Sequence, residues 1–294
     1  MTGRRRLVKV PASSANLGPG YDVLAAALSI HLELEVLEEG EFSVDGGDGV
    51  PADRSNLCVR AFEALHPADG MRFEIRSEIP STRGLGSSAA AIVAGLMAAD
   101  HLFELALDRD EIYSRAVELE GHPDNVGAAL YGGFVVCPQP DGQEGRPRPV
   151  RLDPPEGVEG VLVVPDEEVP TERARAAIPS DVSVSDAVAN VAAVAQLVLG
   201  IERSDLTLIA RGLADRLHQP HRSHIYPRSM ELLAEARELG AIGATISGAG
   251  PALLFWCFWQ DTGKVSEALR DRAGGWAEVR RTPFTPLGAD VPEL

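Results

Sequence analysis

The chain has 294 residues, enough for one large or two modest domains around a substantial core. With 45% apolar and 24% charged residues it is ordinary globular material, which excludes collagen-like, low-complexity and wholly disordered readings. A formal net charge of −17 repels a phosphate backbone and an anionic bilayer, so neither nucleic acid nor membrane is an expected partner, and an anionic substrate would need a local basic site.

Residues 7–10 read as a strand and the small and turn residues 11–20 as a loop. Residues 31–37 alternate Leu32, Leu34 and Val36 with Glu33 and Glu35, the two-residue period of a half-buried strand. A helix is expected over 56–65. Met71, Phe73 and Ile75 then alternate with Arg72, Glu74 and Arg76 in a strand closed by Pro80. Residues 87–105 are alanine-rich and long enough for a largely buried helix, and 109–120 form the next one. The proline, glycine and charge of residues 138–155 mark a domain boundary. Beyond it lie a strand at 158–165, helical patterns at 185–199, 206–217 and 227–239, strands at 242–247 and 252–259, a helix at 265–272 and a strand at 276–281. Strands and helices mix in both halves without strict alternation, so the fold class is α+β.

No apolar run reaches the ~18 residues of a membrane helix, and the basic start leads into strand-like alternation. Cys58, Cys137 and Cys257 are far apart and lack metal-site spacing, which fits buried thiols in a reducing, cytoplasmic compartment. Lysine occurs only at Lys9 and Lys264.

The strongest chemical signal is Pro80-Ser81-Thr82-Arg83-Gly84-Leu85-Gly86-Ser87-Ser88-Ala89-Ala90, a glycine-rich turn opening directly into the alanine-rich helix. Main-chain N–H groups at a helix N-terminus suit phosphate, and the helix dipole adds to the attraction. An ordinary loop with a serine N-cap is the alternative, disfavoured by the helix that follows at once. No lysine follows the glycines, so this is not a P-loop. Two more segments share the pattern of small and turn residues: Pro11 to Asp22, containing Ser13-Ser14-Ala15-Asn16-Leu17-Gly18 and Tyr21-Asp22, and Thr245-Ile246-Ser247-Gly248-Ala249-Gly250-Pro251.

In this order the three segments resemble the signature motifs of the GHMP family of small-molecule kinases, over essentially the whole chain. The first is most similar to the motif of members that phosphorylate homoserine. It lacks the Pro-Gly-basic and Gly-Glu-His elements of galactokinase-like and mevalonate-kinase-like members. The resemblance implies an ATP-binding N-terminal domain like ribosomal protein S5 domain 2, residues 1–155, and a ferredoxin-like C-terminal domain, residues 156–294. It also implies Mg2+ and transfer of the γ-phosphoryl group of ATP to the hydroxyl of L-homoserine, giving O-phospho-L-homoserine for threonine biosynthesis, with a homodimer as the common assembly.

Homoserine offers a carboxylate for arginine, an ammonium for a carboxylate and a hydroxyl to be aimed. Thr171 to Arg175 and Gln219 to Arg222 resemble the segments that supply two carboxylate-binding arginines, Arg175 and Arg222. Asp22 matches the ammonium ligand and Asn16 the residue that positions the hydroxyl. Asp124, Asn125, Thr171 and Gly248 complete the expected substrate pocket. Within Glu118 to Asn125, Glu118 best matches the magnesium carboxylate, with the Ser88 hydroxyl beside it; Glu120 competes, because positions two apart on a helix diverge. Asn125 cannot serve as a base, so a mechanism without a side-chain base is expected, against rivals using His122 or Asp124. Asn56 resembles a purine contact. A metal site at His218, His221 and His224 is disfavoured by Pro220 and by the lack of interleaved carboxylates. The alternatives are a shikimate- or mevalonate-type member of the family, or a nucleotide-binding regulator without turnover.

Overall fold

The computed structural model describes residues 3–47, 49–139 and 148–292; of the expected boundary stretch, residues 140–147 lie outside the described residues. β1 (Arg5–Ala15) pairs antiparallel with the long β2 (Leu24–Glu38), with a register irregularity between Pro11 and Ala12. The strand thus continues through much of the expected loop. Ala12, Ser13, Ser14 and Ala15 are fully buried opposite Ala25 to Leu28, a seam that only small side chains fit, and small residues carry little strand signal. The turn proper begins at Asn16 and Leu17, both left-handed.

On the other edge of β2 lie β4 (Met71–Ser77) and the later β5 (Phe134–Val136); β3 (Ser43–Asp45) extends the sheet beyond β4, and β6 (Val150–Leu152) beyond β5. Against this sheet packs α2 (Ser87–Phe103), whose alanines are buried almost throughout, and α1 (Leu57–Glu63) packs chiefly on α2. α3 (Arg109–Glu120) has the expected bounds because Asp108 and Glu111 close a capping box at its start. α4 (Pro123–Tyr131) was hidden in the sequence by its proline, which occupies the first turn where no amide is missed.

The second sheet is β7 (Val158–Pro165), β8 (Gly243–Ile246), β9 (Leu253–Phe258) and β10 (Ala277–Arg281), ordered β10-β7-β9-β8 and antiparallel throughout. Between β7 and β8 come α5 (Thr171–Ala176), α6 (Val184–Arg203), α7 (Leu206–Gly212) and α8 (Pro227–Ala234); α9 (Thr262–Ala273) joins β9 to β10. This β-α-β-β-α-β connection is the ferredoxin-like plan, and the class is α+β. α7 stops short of residue 217 because Asp215 turns back to accept the amides of Leu217, His218 and Gln219.

Alternation in the second sheet serves two cores. Leu162, Leu254 and Trp256 join the large core shared with the first sheet, whereas Val161, Val163, Leu253 and Phe255 face a smaller core beneath α8 and α9. The chain beyond β10 returns to the first sheet, where Phe284 bridges Leu28 and Asp290 bridges Lys9, and the rings of Phe134, Trp256 and Phe284 meet at 4.8–5.5 Å. All three cysteines are free and buried.

One expectation is corrected. α6 is long and apolar enough to cross a membrane by length and composition, with mean hydropathy 1.7 and 28% of that window buried. Ser185, Asp186, Asn190 and Gln196 interrupt the run, yet the alanines and valines between them keep the mean high.

Candidate active site

The glycine-rich turn delivers α2 to a cavity of about 190 Å³ lined from both halves of the chain. No side chain caps α2, so the amides of its first turn open into that cavity and make it an anion site. Gly84 and Gly86 are both left-handed. A Cβ on Gly84 would sit 2.1 Å from the Ser247 carbonyl oxygen, and one on Gly86 2.1 Å from Ser13 Oγ. The glycines are therefore required by the first and third segments pressing on the turn, beyond the access they give to phosphate.

Those segments are fastened together. Asn16 Nδ2 donates to the Gly248 carbonyl at 2.7 Å while its Oδ1 accepts the Asp22 amide at 3.0 Å, and the Gly248 amide donates to the Ala15 carbonyl. Ser247 Oγ donates to the Gly84 carbonyl at 2.7 Å. Ser13 Oγ donates to Asn125 Oδ1 at 2.8 Å, which fixes which end of that amide is free. Asn16, Asn125 and Gly248 all line the cavity, as do Asp22, Asp124, Thr171, Arg175 and Arg222.

Asp22 and Arg175, expected at opposite ends of a zwitterion, hold each other: Arg175 Nη2 and Nη1 reach the two Asp22 oxygens at 2.6 and 3.0 Å, and Nη1 also donates to Tyr21 Oη at 2.8 Å. Arg222 is buried, donating through Nε to the Ala174 carbonyl and through Nη1 to the Gly248 carbonyl. Asp124 is buried at the start of α4, and burial pushes its carboxyl up to about 7. Burial, with Arg175 nearby, lowers the His122 imidazole.

The two candidate carboxylates of α3 point to opposite sides. Glu118 lies on the exposed side of α3, away from the cavity, whereas Glu120 lines it and accepts the Ser88 hydroxyl at 2.5 and 2.6 Å. The helical turn that carries one inward carries the other out. Burial raises the Glu120 pKa, and the Ser88 hydroxyl opposes that shift. Two hard oxygen donors facing an anion site fit Mg2+, which keeps water and phosphate oxygens for the rest of its shell. Among the described residues no group of three or more His, Cys, Asp or Glu is placed to hold an ion alone.

A second cavity, about 300 Å³ and largely apolar, meets the first at Thr82, Ser87 and Ser88. Leu32, Val50, Pro51 and Ile75 wall it, and Asn56 borders it. The Asn56 amide is committed, accepting the Cys58 amide as the α1 N-cap and donating to the Pro51 carbonyl at 3.0 Å, so it shapes this wall.

Residues 56–133 match the sequence profile of the GHMP kinases N terminal domain and residues 197–274 that of the GHMP kinases C terminal domain. The homoserine kinase of Thermus thermophilus is 42% identical over 252 residues, 83% of this chain and 84% of that protein. That of Moorella thermoacetica is 38% identical over 260 residues, 85% and 87% of the two chains. The chain belongs to the homoserine kinase branch of the GHMP kinases. A solved homoserine kinase from Cytophaga hutchinsonii superposes with a TM-score of 0.86 at 28% identity, covering 98% of this chain and 97% of that one. The likeness to L. major mevalonate kinase, TM-score 0.70 at 17% identity, is one of fold alone.

Some features of this GHMP kinase escaped sequence reading. The Arg83 side chain does not line the cavity but ties the turn to the end of β7, donating to the Pro165 and Asp166 carbonyls at 2.7 Å. Ala89 and Ala90 are buried in α2 and line neither cavity, and the Ala90 amide already donates to the Gly86 carbonyl. Leu32, Val50 and Ile75 read as core or loop, because period and hydropathy do not tell which apolar residue borders a void. Tyr21 is visible only as the neighbour of Asp22, yet it accepts from Arg175 and lies under the Arg222 guanidinium, 5.8 Å from ring centre.

Proposed function

We propose that this kinase transfers the γ-phosphoryl group of ATP to the side-chain hydroxyl of L-homoserine, giving O-phospho-L-homoserine for threonine synthesis. One observation carries the reading: a single cavity sets the uncapped N-terminus of α2 against Asp22, Arg175 and Arg222. The first suits polyphosphate and the other three suit a zwitterion, which explains the choice of an amino-acid alcohol over a plain carboxylic acid.

The residues divide the work. Residues 80–90 cradle the phosphates, and the apolar second cavity beside Asn56 takes the base. The substrate ammonium turns to Asp22 and its carboxylate to Arg175 and Arg222, so the existing Asp22–Arg175 pair is exchanged for two contacts to the zwitterion. Thr171, Asp124 and the Gly248 carbonyl close the pocket around it. Asn16 and the free amide end of Asn125 aim the hydroxyl in line with phosphorus, the positioning that a loose transition state needs most. Mg2+, when bound, would neutralise charge on the transferring phosphates, and Ser88 with Glu120 would hold it. Such a transition state asks for no early proton acceptor, so no side chain is needed as general base; Asp124, poised near neutrality, is the strongest competitor for that role.

Residues 1–155 serve as the nucleotide-binding domain and 156–294 as its C-terminal partner, in an enzyme of the cytoplasm. The assembly is a homodimer built on α6. Val184, Val188, Val191, Ala195 and Leu199 put an apolar stripe on the outer side of that helix. An antiparallel match of two such stripes about Val191 sets Asp181 of one protomer near Arg203 of its partner, which a parallel match does not.

The test is a coupled assay with L-homoserine, shikimate and mevalonate, with and without Mg2+, on the wild type and Arg222→Met. Turnover should require L-homoserine and Mg2+. The variant should bind homoserine less tightly by about 1.5–3 kcal/mol, the range for a hydrogen bond to a charged group, with ATP binding nearly intact. Equal losses for both ligands would mark a folding defect, and faster turnover of shikimate or mevalonate would overturn the substrate.

A further inference from the structure

Behind Arg222 lies a buried polar cluster that the reaction as drawn does not use. His218 has no exposed surface and sits between the two halves of the chain. Its Nε2 is 2.7 Å from the Gly18 carbonyl oxygen and its Nδ1 is 3.1 Å from Arg222 Nη1. A carbonyl can only accept and a guanidinium can only donate, so Nε2 must carry the proton and Nδ1 must offer its lone pair. The ring lies 5.3 Å from that of Tyr21.

Asp215 is the obvious rival partner, 3.5 Å from Nε2 and also fully buried. Its oxygens are already occupied: Oδ1 accepts from Asn190 Nδ2 and the Leu217 amide, Oδ2 from the amides of His218 and Gln219. Burial and the Arg222 charge hold the imidazole down at about 4 despite Asp215. The bond to Nδ1 and that to Gly248 use both Nη1 hydrogens of Arg222, and Ala174 takes Nε. These three bonds leave Nη2 on the cavity side of the guanidinium, where the Tyr226 hydroxyl also interacts with Arg222.

We propose that His218 is a positioning residue: a neutral imidazole, anchored by Nε2–H on Gly18, whose Nδ1 lone pair fixes the Arg222 guanidinium for the substrate carboxylate. This rests on the carboxylate-binding role given to Arg222 above. His218 thereby couples the first sequence segment, which carries Asp22, to the arginine that grips the other end of the substrate.

Two substitutions separate positioning from packing. In His218→Asn the amide oxygen falls near Nδ1 and can still accept from Arg222. In His218→Gln the amide falls near Nε2, keeping the Gly18 side and losing the acceptor. The homoserine KM should rise by about tenfold or more in the glutamine variant and distinctly less in the asparagine variant, with the KM for ATP and the melting temperature alike in the two. Equal homoserine KM values in both would overturn the proposal. Should either variant fail to fold, nitrogen NMR of the wild-type imidazole decides: a single Nε2–H tautomer from pH 6 to 8 is expected, and an Nδ1–H or doubly protonated ring would overturn it. If Arg222→Met leaves homoserine binding unchanged, the parent reading fails; if it weakens binding while the two His218 variants behave alike, only the present inference fails.

Discussion

Two positions along α3 separate a carboxylate inside the cavity from one in solvent. Glu120 accepts from Ser88 inside the cavity and Glu118 faces solvent, so Glu120→Gln should lower turnover by about 100-fold or more and raise the Mg2+ needed for half-maximal rate, while Glu118→Gln stays near wild type. Steady-state rates over a Mg2+ series check this, and the reverse ranking would restore Glu118. Asp124 supplies a second prediction. Its folded-state pKa of about 7 lies above the ordinary 3.8, so the native state holds the proton more tightly than the unfolded chain does. The contribution of Asp124 to stability is full below about pH 4 and is lost as pH rises through 7. Asp124→Asn, which cannot ionise, should therefore gain about 2–4 kcal/mol over wild type at pH 8 and nothing at pH 4. Unfolding curves without ligands at the two pH values measure it. The same variant addresses the proton acceptor: loss of several orders of magnitude in the chemical step, with loss of a titrating limb, would make Asp124 the base.

Helices and amphipathic strands were the legible elements. The bounds of α3 follow from the Asp108–Glu111 box, and Met71, Phe73 and Ile75 mark β4 by alternation alone. What stayed hidden was built of small residues. β1 runs through Ala12 to Ala15 because a helix of alanines packs on it, and nothing local to those four residues announces a strand. The glycine-rich turn shows the same dependence. Its glycines signal a tight turn, but the constraint on Gly84 comes from Ser247 and Gly250, far along the chain. Gly84→Ala should cost more than the ~1–2 kcal/mol of a left-handed alanine, because the Ser247 carbonyl and Gly250 amide are backbone and cannot swing aside. Nucleotide affinity should fall by about tenfold or more, measured by titration with a non-hydrolysable ATP analogue; unchanged affinity would show the turn to be looser than drawn.

For the whole molecule, the outer face of α6 is the feature with most bearing on assembly. A surface helix normally turns polar residues outward, and here Val184, Val188 and Val191 are 81%, 62% and 71% exposed. Replacing Val188 and Val191 together by Glu should shift the protein from dimer to monomer in light scattering while leaving the fold intact; a wild-type monomer at micromolar concentration would remove the interface. The sequence by itself determined the α+β class, the glycine turn ahead of a buried helix and, through three short segments, the kinase family. These are local matters of period, turn chemistry and spacing, written in neighbouring residues. Only tertiary structure decided that Glu120 rather than Glu118 faces the cavity, that Asp22 and Arg175 are partners, that Asn56 caps a helix and that His218 stands behind Arg222. Each of those depends on which side of an element is turned toward a distant one, and chain order carries no direct record of that orientation.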